Sequence, residues 1–585
     1  MALLLLALWV VLTWVAAWTL YSGYCLYCNY LEARKLGVPI RIIPIDHLNK
    51  LWLLVDRQVV SLVRRLPGPL GNNSFTRFNY RGWHEDDGLR AHNEMGEAFV
   101  LVTPSRNWFY LADPEALMNM YRRGKDFPRW VEITKMLDVF GGPTIATASG
   151  EQWKRIRKIS NSCLNEQCNT IVWDEAGSLG DAMARYWATK GVFTSVGEDS
   201  RTVTLDVLSK ACFGQSFAFE GHDERLDTSP SASFRFSLLT VMENALLILA
   251  LTPRFFTNPW LPLPAAWRKL GEACSTFRSH MVYFYNRELR ALHEFKGGGA
   301  QQKGDYTLMA ALVRASQEKG EDGFGLTEDE IYGNMFVFSF AGHDTTAHLL
   351  TYAVFFLAAN PSAQDWLAQE ITQVLGDRPR SEWDYHGDFP RLKRCLAVLY
   401  ETLRVKTPVC EVKWTQDQAQ QLDVAGQTVT VPPATLIIPS YVYVHKHPRY
   451  WGADAAEWKP ERWIAARDGV DEGYSHAGNN DTAAATTTSA AADEVLLPPP
   501  SRGNYLGWSE GARDCPGKRF SQVEWVAFLA AMFRDWKVEP QLQDQETFDE
   551  ARTRVLDFVE KDSGYGGLLL QLMHPEKVPL VWSRR

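Results

Sequence analysis

The stretch that decides the fold is Trp508-Ser-Glu-Gly511-Ala-Arg513-Asp-Cys515-Pro516-Gly517-Lys-Arg-Phe520, near the C-terminal end of the chain. Glycines four residues before and two residues after Cys515 predict a tight turn, in which a large flat group can approach the sulfur. Apolar residues follow at helical spacing, and proline at 516 suits the first position of a helix, whose dipole stabilises a nearby thiolate. The sequence therefore predicts a metal ligand at Cys515. A structural cysteine in a glycine-rich turn is the alternative.

Length and composition limit the class of protein. The 585 residues are 46% hydrophobic and 22% charged, enough for a large core, and the net charge of −8 argues against nucleic acid as a partner. The nine cysteines contain one C-x-x-C pair, Cys25 and Cys28, with no second pair or histidine cluster at zinc-ligand spacing. Because nothing resembles a disulfide framework, we predict a reducing, cytoplasm-facing compartment.

The N-terminus predicts a membrane anchor. No charged residue occurs from Ala2 to Leu31, whereas roughly 20 apolar residues suffice to cross a bilayer core. A cleaved signal peptide is the competing interpretation, but it would begin with a basic region and have a shorter apolar stretch. We therefore predict one transmembrane helix within residues 1–31. Arg34, Lys35 and Arg41 follow it, which places the rest of the chain on the cytoplasmic side.

The remaining chain predicts a linker and one globular body. Residues 32–66 are predicted as an amphipathic juxtamembrane linker, whose apolar face could lie on the membrane or pack in the core. The Pro/Gly break that follows starts the body, residues 67–585, in which Ala98–Thr103 and Trp108–Leu111 predict a β-hairpin. An Ala/Thr/Ser-rich run predicts a low-complexity insertion over residues 467–503.

A long buried helix is predicted from the capping box at Thr327-Glu-Asp-Glu330. No proline appears until Pro361, so the helix could extend roughly 48 Å through the molecule. It is apolar on most faces except at its centre, Ala341-Gly342-His343-Asp344-Thr345-Thr346. We reject a second transmembrane span, since an aspartate at the bilayer centre costs about 3 kcal/mol.

Two further patterns carry charged residues at helical spacing. Trp153 and Arg157 are four residues apart on one helix face, where a solvated basic face is the plain alternative. Glu401 and Arg404 are three apart and can form an ion pair. The Glu-x-x-Arg spacing alone is weak because it occurs three times in the chain, but only this copy lies in a helical pattern and precedes Arg462.

Together these motifs resemble the cytochrome P-450 family of heme-thiolate monooxygenases, whose signature is Phe-x-x-Gly-x-Arg-x-Cys-x-Gly. Gly511, Arg513, Cys515 and Gly517 match the signature, and Trp508 stands in place of its phenylalanine. The resemblance covers roughly residues 66 to 585, with the elements in the family's order. It implies a mainly α fold with small β-sheets, tethered by a single N-terminal transmembrane helix.

The resemblance also implies roles for individual residues. Cys515 would be the axial ligand of heme iron in heme b, with Trp153, Arg157 and Arg513 at the heme propionates. Gly342 is expected to leave room for a diatomic ligand on the distal side of the heme. The remaining implied roles are proton delivery by Asp344 and Thr345, and a structural ion-pair triad of Glu401, Arg404 and Arg462.

The implied reaction is reductive activation of dioxygen and insertion of one oxygen atom into a lipophilic small molecule, within a secondary-metabolite pathway. Electrons would come from NADPH through a separate flavoprotein, NADPH-cytochrome P-450 reductase, because the chain shows no dinucleotide fingerprint. Cytochrome b5 is a second candidate donor, and Lys518 and Arg519 would contribute to the docking surface. The implied location is the endoplasmic reticulum membrane, with the catalytic domain in the cytoplasm.

Two other functions remain open from the sequence. A heme-thiolate isomerase or dehydratase would keep the cofactor without the oxygen chemistry, but the intact Asp344-Thr345 pair argues against it. A non-catalytic heme-binding membrane protein would bind ligands without oxidising a substrate. Dependence of turnover on NADPH separates both from a monooxygenase.

Overall fold

The computed structural model describes residues 2–49, 51–130, 132, 134–222, 230–296, 306–317, 325–409, 411–466, 494–566 and 568–585. The chain divides into two compact units. Unit 1 comprises Met1–Trp130, Val409–Glu457 and Pro499–Asp514, and unit 2 comprises Val131–Pro408, Trp458–Pro498 and Cys515–Arg585.

Helices are numbered in chain order. Those of unit 1 are α1 Ala2–Arg34, α2 Trp52–Val63, α3 Ser74–Phe78, α4 Trp83–Asp87, α5 Arg90–Met95, α6 Pro114–Arg122, α19 Tyr441–Lys446 and α20 Pro448–Trp451. Those of unit 2 are α7 Gly150–Cys163, α8 Glu166–Lys190, α9 Val196–Phe213, α10 Pro230–Glu243, α11 Ala245–Leu251, α12 Pro253–Phe256, α13 Ala265–Lys296, α14 Leu308–Gln317, α15 Glu328–Ala359, α16 Pro361–Leu375, α17 Tyr385–Asp388, α18 Lys393–Val405, α21 Lys518–Phe533 and α22 Phe548–Asp562.

Strands are short and lie in small sheets. Those of unit 1 are β1 Ile40–Ile42, β2 Ala98–Val102, β3 Asn107–Leu111, β5 Lys413–Trp414, β6 Gln420–Val424, β7 Gln427–Val431 and β8 Leu436–Pro439. Those of unit 2 are β4 Val192–Phe193, β9 Ile464–Ala466, β10 Glu494–Leu496, β11 Trp536–Pro540, β12 Ser563–Tyr565, β13 Leu570–Leu572 and β14 Leu580–Arg584. The mainly helical fold with small sheets is thus confirmed.

Unit 1 is organised around a sheet with the strand order β1-β2-β3-β8-β5. The predicted hairpin is confirmed as the antiparallel pair β2 and β3, in which every residue is buried. Both faces of these strands are covered, so they read as continuous apolar runs rather than as an alternating pattern. The second hairpin of this unit, β6 with β7, alternates buried and exposed positions.

The segment predicted as a linker contributes to this core. Ile40–Ile42 forms the edge strand β1, which pairs in parallel with β2, and Ala33 and Leu36 are buried in the same cluster. The end of α1 is fixed to the β2–β3 turn by Asn29, whose side-chain amide donates to the carbonyls of Thr103 at 2.9 Å and Pro104 at 3.2 Å. Residues after about 26 therefore belong to the folded unit.

The N-terminal segment forms the helix α1, along which many large apolar side chains are exposed. Across the described residues, no single helix is both long and apolar enough to cross a membrane. One pair of helical segments, Ser233–Glu243 and Ala245–Leu251, passes the length and composition criteria together but is bent by 70°.

We expect truncation of α1 to have two distinct effects. Deleting residues 2–20 should leave the free energy of unfolding unchanged, because those residues precede the part of α1 that contacts the sheet. Deleting residues 2–31 should lower the free energy of unfolding by on the order of 3 kcal/mol, because it removes the Asn29 hydrogen bonds and the packing of Leu26 and Tyr30. Denaturant unfolding of the two proteins measures the difference, and equal stability would contradict the docking of α1.

Unit 2 is built around α15. The predicted capping box is confirmed: Thr327 accepts from the backbone of Glu330, and the Glu330 side chain accepts from the backbone of Thr327. The helix then continues to Ala359, and most of its residues are buried. Within this unit α15 packs against α9 and α22, and α21 packs against α8 and α18.

Part of the predicted insertion is ordered. Glu494–Leu496 forms β10, which pairs with β9, and the Glu494 carboxylate accepts from Arg394 at 2.6 Å. The hairpin is thereby attached to the beginning of α18. Residues 467–493 lie outside the described residues, so the low-complexity insertion stays a prediction there.

Candidate active site

The loop before Cys515 depends on one glycine conformation. A 3₁₀ turn spans Gly511–Arg513, and Gly511 has φ +76°, in the left-handed region that side-chain-bearing residues rarely adopt. A side chain at 511 would also come within 2.8 Å of the Tyr121 carbonyl. Gly517 differs, since its φ is −84°, and an added Cβ would lie 3.8 Å from the Cys515 sulfur. Gly511 therefore allows the backbone conformation of the turn, whereas Gly517 keeps a side chain away from the Cys515 sulfur.

The predicted helix start at Pro516 is wrong, because α21 begins at Lys518 with Gly517 as its N-cap. The backbone N–H of Lys518 donates to the Cys515 carbonyl at 3.3 Å, and that of Ser521 donates to the Gly517 carbonyl at 2.8 Å. Cys515 and Pro516 therefore form a turn that precedes the first helical residue. The sulfur still lies close to the N-terminal end of α21.

Cys515 is the exposed cysteine among the eight that the structure describes. The others are buried or half-buried, and burial raises the pKa of Cys163 to about 11 and of Cys274 to about 12. Both thiols are buried, so neither offers the access to a large cofactor that exposed Cys515 does. Among the described cysteines, Cys515 alone is both exposed to solvent and close to the N-terminal end of a helix.

At the centre of α15, two threonine side chains hydrogen-bond to backbone carbonyls of the same helix. The Thr345 hydroxyl donates to the Ala341 carbonyl at 2.9 Å, and the Thr346 hydroxyl donates to the Gly342 carbonyl at 3.1 Å. Such bonds to the residue four positions back loosen and bend a helix. Ala341 is exposed and Thr345 is half-buried, although the helix around them is buried. One polar face of a core helix is therefore accessible.

Asp344 lies in a small charged cluster in unit 2. Its Oδ1 is 3.4 Å from Arg201 Nε on α9 and 3.3 Å from His343 Nε2. Arg201 is itself held by the side-chain oxygen of Gln571, to which it donates at 2.9 Å. Arg201 was not predicted as a site residue, because no local sequence pattern indicates which helix α9 packs against.

The two histidines of α15 are core residues. Burial lowers the pKa of His343, and it lowers the pKa of His348 to about 3. Both rings are therefore neutral at physiological pH. His343 Nδ1 faces the Ser339 carbonyl at 3.0 Å, which assigns the hydrogen to that nitrogen.

Gly342 has a packing role in the structure. A Cβ at this position would meet Leu208 of α9 at 3.1 Å, so the glycine permits close packing of α15 against α9. The expected space for a diatomic ligand beside Gly342 stays a prediction. Ala341, one position earlier, carries the exposed small side chain.

The basic run on α7 contains one residue that pairs with α15 and two that are candidates for binding the cofactor. Arg155 pairs with the Glu330 carboxylate and donates to the Gly325 carbonyl, which fixes α7 to the start of α15. Trp153 and Arg157 are half-buried and share a helix face, as predicted from their spacing. Their assignment to the heme propionates stays a prediction.

Arg513 lies in a cationic cluster of unit 1. The Arg513 carbonyl accepts from Arg129 at 3.2 Å, and Arg129 also donates to the Glu411 carboxylate at 2.9 Å. Lys413 donates to the same oxygen of Glu411 at 2.9 Å. Burial would raise the pKa of Glu411, but the two cations hold it below its usual value. Two cationic side chains thus pair with one carboxylate, and Arg513 lies close to them in the chain fold.

The predicted triad residues come together in unit 2. Glu401 accepts from Arg404 at 2.7 and 2.8 Å and from Arg462 at 3.0 Å. The same carboxylate accepts from the Lys459 backbone at 2.8 Å and from the Trp463 indole at 3.0 Å. The side chains of Glu401 and Arg404 are fully buried. This network joins α18 to the 3₁₀ turn Pro460–Trp463.

These features can be compared with what a heme-thiolate site requires. In unit 2, Cys515 is exposed and the centre of α15 carries accessible polar groups. In unit 1, the cations beside Glu411 are of the kind that bind carboxylates. The Cytochrome P450 family profile matches residues 86–565.

The chain belongs to the cytochrome P450 family.

Relatives of this P450 support the same assignment. A cytochrome P450 monooxygenase of Arthrobotrys oligospora is 27% identical over 95% of each chain. The phomenoic acid biosynthesis cluster cytochrome P450 monooxygenase of Leptosphaeria maculans is 26% identical, over 95% of this chain and 96% of the relative. A cytochrome P450 monooxygenase of Penicillium roqueforti is 25% identical over 87% of each chain. The P450 is an oxidoreductase of the monooxygenase class, and its family implies a heme cofactor.

Proposed function

We propose that this P450 oxidises a lipophilic natural-product precursor, with Cys515 as the heme ligand and the Asp344–Thr345 pair as the proton-delivery group. The observation that carries this proposal is the accessible face at the centre of α15, where Thr345 donates to the Ala341 carbonyl and Asp344 meets Arg201. Accessible polar groups at the centre of an otherwise buried core helix favour a chemical role over packing.

The cofactor and the protein have separate tasks in this mechanism. Heme, when held by the Cys515 thiolate, would supply the chemistry of reductive dioxygen activation. Cys515 supplies the thiolate, and its position at the N-terminal end of α21 favours the charged sulfur. Arg513, Trp153 and Arg157 are the candidates for holding the propionates.

Protons must reach the distal side through the chain's own groups. Asp344 can carry a proton, and its ion pair with Arg201 holds the carboxylate at the helix. The Thr345 hydroxyl is bound to the Ala341 carbonyl through its hydrogen, so its oxygen remains able to accept a second hydrogen bond. Asp344 and Thr345 are adjacent and half-buried in an otherwise largely buried helix, which makes them the candidates for proton delivery.

Electrons are proposed to come from NADPH through NADPH-cytochrome P-450 reductase, with cytochrome b5 as a second donor. Lys518 is exposed at the start of α21 and can meet an acidic partner. Arg519 is half-buried, with its guanidinium 4.2 Å from the centre of the Phe389 ring. We therefore assign more of the docking charge to Lys518 than to Arg519.

The proposed location is the endoplasmic reticulum membrane, with α1 as the single anchor and the catalytic residues in the cytoplasm. The support is the apolar surface of α1, whose Leu6, Trp9, Trp14 and Leu20 side chains are each more than half exposed. Exposed apolar residues at this density require an apolar environment. Deleting residues 2–20 and measuring the distribution between membrane and soluble fractions tests the proposal.

The substrate class is proposed from one relative and from the proposed location. The relative from Leptosphaeria maculans is named for a phomenoic acid biosynthesis cluster, and the proposed membrane attachment would suit substrates that partition into lipid. Profiling the metabolites that accumulate after deletion of the gene would identify the substrate most directly. Consumption of a water-soluble, charged precursor would contradict the lipophilic class.

We expect Thr345→Ala to separate electron use from product formation. The variant should retain heme and consume NADPH, but product formation should fall by about 10²-fold, the lower limit for one proton-transfer group, while hydrogen peroxide rises. The measurement is NADPH, peroxide and product per minute with the reconstituted reductase.

Thr351→Ala is the matched control for this experiment. Thr351 makes the same hydrogen bond four residues back, to the Ala347 carbonyl at 2.9 Å, but it is buried away from the accessible face. The control variant should form as much product per NADPH consumed as the wild-type protein does. Loss of coupling in both variants would indicate a general effect on α15, and full coupling in Thr345→Ala would refute the proton-delivery role.

A further inference from the structure

The loop that precedes Cys515 has an unfavourable backbone conformation at one residue besides its glycine. Ser509 has φ +62° and Gly511 has φ +76°, so both lie in the left-handed region. Glycine enters this region freely, whereas a residue with a side chain does so at a cost in free energy. Such a conformation persists only where surrounding contacts fix it, so the contacts of Ser509 show what holds the loop.

One buried carboxylate contacts both ends of this loop. Glu411 Oε2 accepts a hydrogen bond from the Ser509 hydroxyl, where the loop begins. The other oxygen, Oε1, accepts from Arg129 Nε at 2.9 Å, and a terminal nitrogen of Arg129 donates to the Arg513 carbonyl at 3.2 Å. All four residues belong to unit 1. Glu411 therefore reaches residue 509 directly and residue 513 through Arg129.

The local backbone places these side chains together. Burial alternates along residues 411–415 as in a strand, so Glu411 and Lys413 lie on the same face. Lys413 pairs with Arg129 in an antiparallel bridge, and side chains directly opposite in such a pair are neighbours. The backbone N–H of Glu411 also donates to the Tyr441 hydroxyl at 2.8 Å. The position of the carboxylate is thus fixed by contacts outside the loop.

The two oxygens of this carboxylate have different partners. A buried carboxylate needs both a compensating charge and hydrogen bonds. Arg129 and Lys413 both donate to Oε1, each at 2.9 Å, so they supply the charge at that oxygen. Oε2 accepts from the hydroxyl of Ser509. The charge of Glu411 is therefore compensated at one oxygen, while the other oxygen holds the loop.

We propose that Glu411 is a positioning residue for the loop that presents Cys515, because its two carboxylate oxygens hold residues 509 and 513 on either side of the Gly511–Arg513 turn. It acts through Ser509 and Arg129, and the reacting atoms are not its partners in this role. The inference rests on the proposed function only in taking Cys515 as the ligand of heme iron.

The hold on the loop can be tested apart from turnover by hydrogen–deuterium exchange of the full-length heme protein. Ser509→Ala should speed exchange of the amides in residues 509–514 by about 10-fold, as expected for loss of one hydrogen bond to a charged group. Glu411→Met removes both contacts and should speed it further. In the Glu411→Met background, Ser509→Ala should have no additional effect. Wild-type exchange in Ser509→Ala, or a full additional effect in the double variant, would overturn the proposal.

Asp87→Asn is the matched control for this experiment. Asp87 is another buried carboxylate of unit 1, and it accepts from Arg77 at 2.7 and 3.1 Å. Its second ion pair, with Arg90, also lies away from residues 509–514 in the chain. The control variant should be less stable than the wild-type protein but should keep its exchange rates in the loop. Equal acceleration in Asp87→Asn and Glu411→Met would show a general loosening of unit 1 and would refute the positioning role.

The consequence for Cys515 can be tested with the carbonyl spectrum of the reduced protein. Without denaturant, Ser509→Ala and Glu411→Met should each lose part of the long-wavelength band of thiolate-ligated heme, whereas Asp87→Asn should keep all of it. A complete band in both loop variants would overturn the proposal. If Glu411→Met does not fold, Ser509→Ala decides, because it removes a single oxygen atom from a half-buried side chain. Absence of the band from the wild-type protein would instead refute the ligand assignment, and the exchange experiment would still test the hold on the loop.

Discussion

Cys515→Ala is expected to abolish the long-wavelength absorption band that carbon monoxide gives with reduced thiolate-ligated heme. Cys515 is the exposed cysteine of the described set, and it lies at the N-terminal end of α21, where the helix dipole favours a thiolate. Alanine removes the ligand while leaving the Gly511 turn and the start of α21 unchanged. We expect complete loss of the band and of NADPH-dependent turnover.

The control for this prediction is Cys274→Ala. Cys274 is buried in α13, where burial raises its pKa to about 12, so its thiol is not accessible in place of that of Cys515. The control variant should be somewhat less stable but should keep the band. A normal band in Cys515→Ala, or a spectrum typical of a histidine ligand in the wild-type protein, would remove the basis of the proposed site.

Local patterns predicted the elements whose signals lie within a few residues. The capping box at Thr327 and Glu330 correctly gave the start of α15, and the apolar runs of β2 and β3 correctly gave a hairpin. The Glu401–Arg404 spacing likewise gave a pair that meets in the structure. Each of these three predictions depends on helix or strand geometry within a short stretch of the chain.

Contacts between distant segments could not be predicted in this way. The partner of Asp344 is Arg201 on another helix, and an added side chain at Gly342 would meet Leu208 of that same helix. The segment after the predicted anchor was expected to be a linker, but its Ile40–Ile42 strand pairs with β2. Hydrophobic periodicity identifies a buried face, and it does not say which element covers that face.

Replacing Glu401 with glutamine is expected to have the largest effect on stability. The change removes the charge that neutralises Arg404, a fully buried cation, and it weakens the contacts to Arg462 and Trp463. Breaking a buried ion pair by removing one partner costs about 3–5 kcal/mol, because an uncompensated charge stays in the core. We expect the free energy of unfolding to fall by about that amount, with loss of heme at lower denaturant concentration.

The matched comparison is an exposed pair in the same unit. Asp557 and Lys561 are 2.8 Å apart on the surface of α22, where ion pairs contribute less than about 1 kcal/mol. Denaturant unfolding, followed by both the carbonyl spectrum and helix content, should therefore show a small effect for Asp557→Asn. If Glu401→Gln were as mild as Asp557→Asn, the network around Glu401 could not be what fixes the Pro460–Trp463 turn against α18.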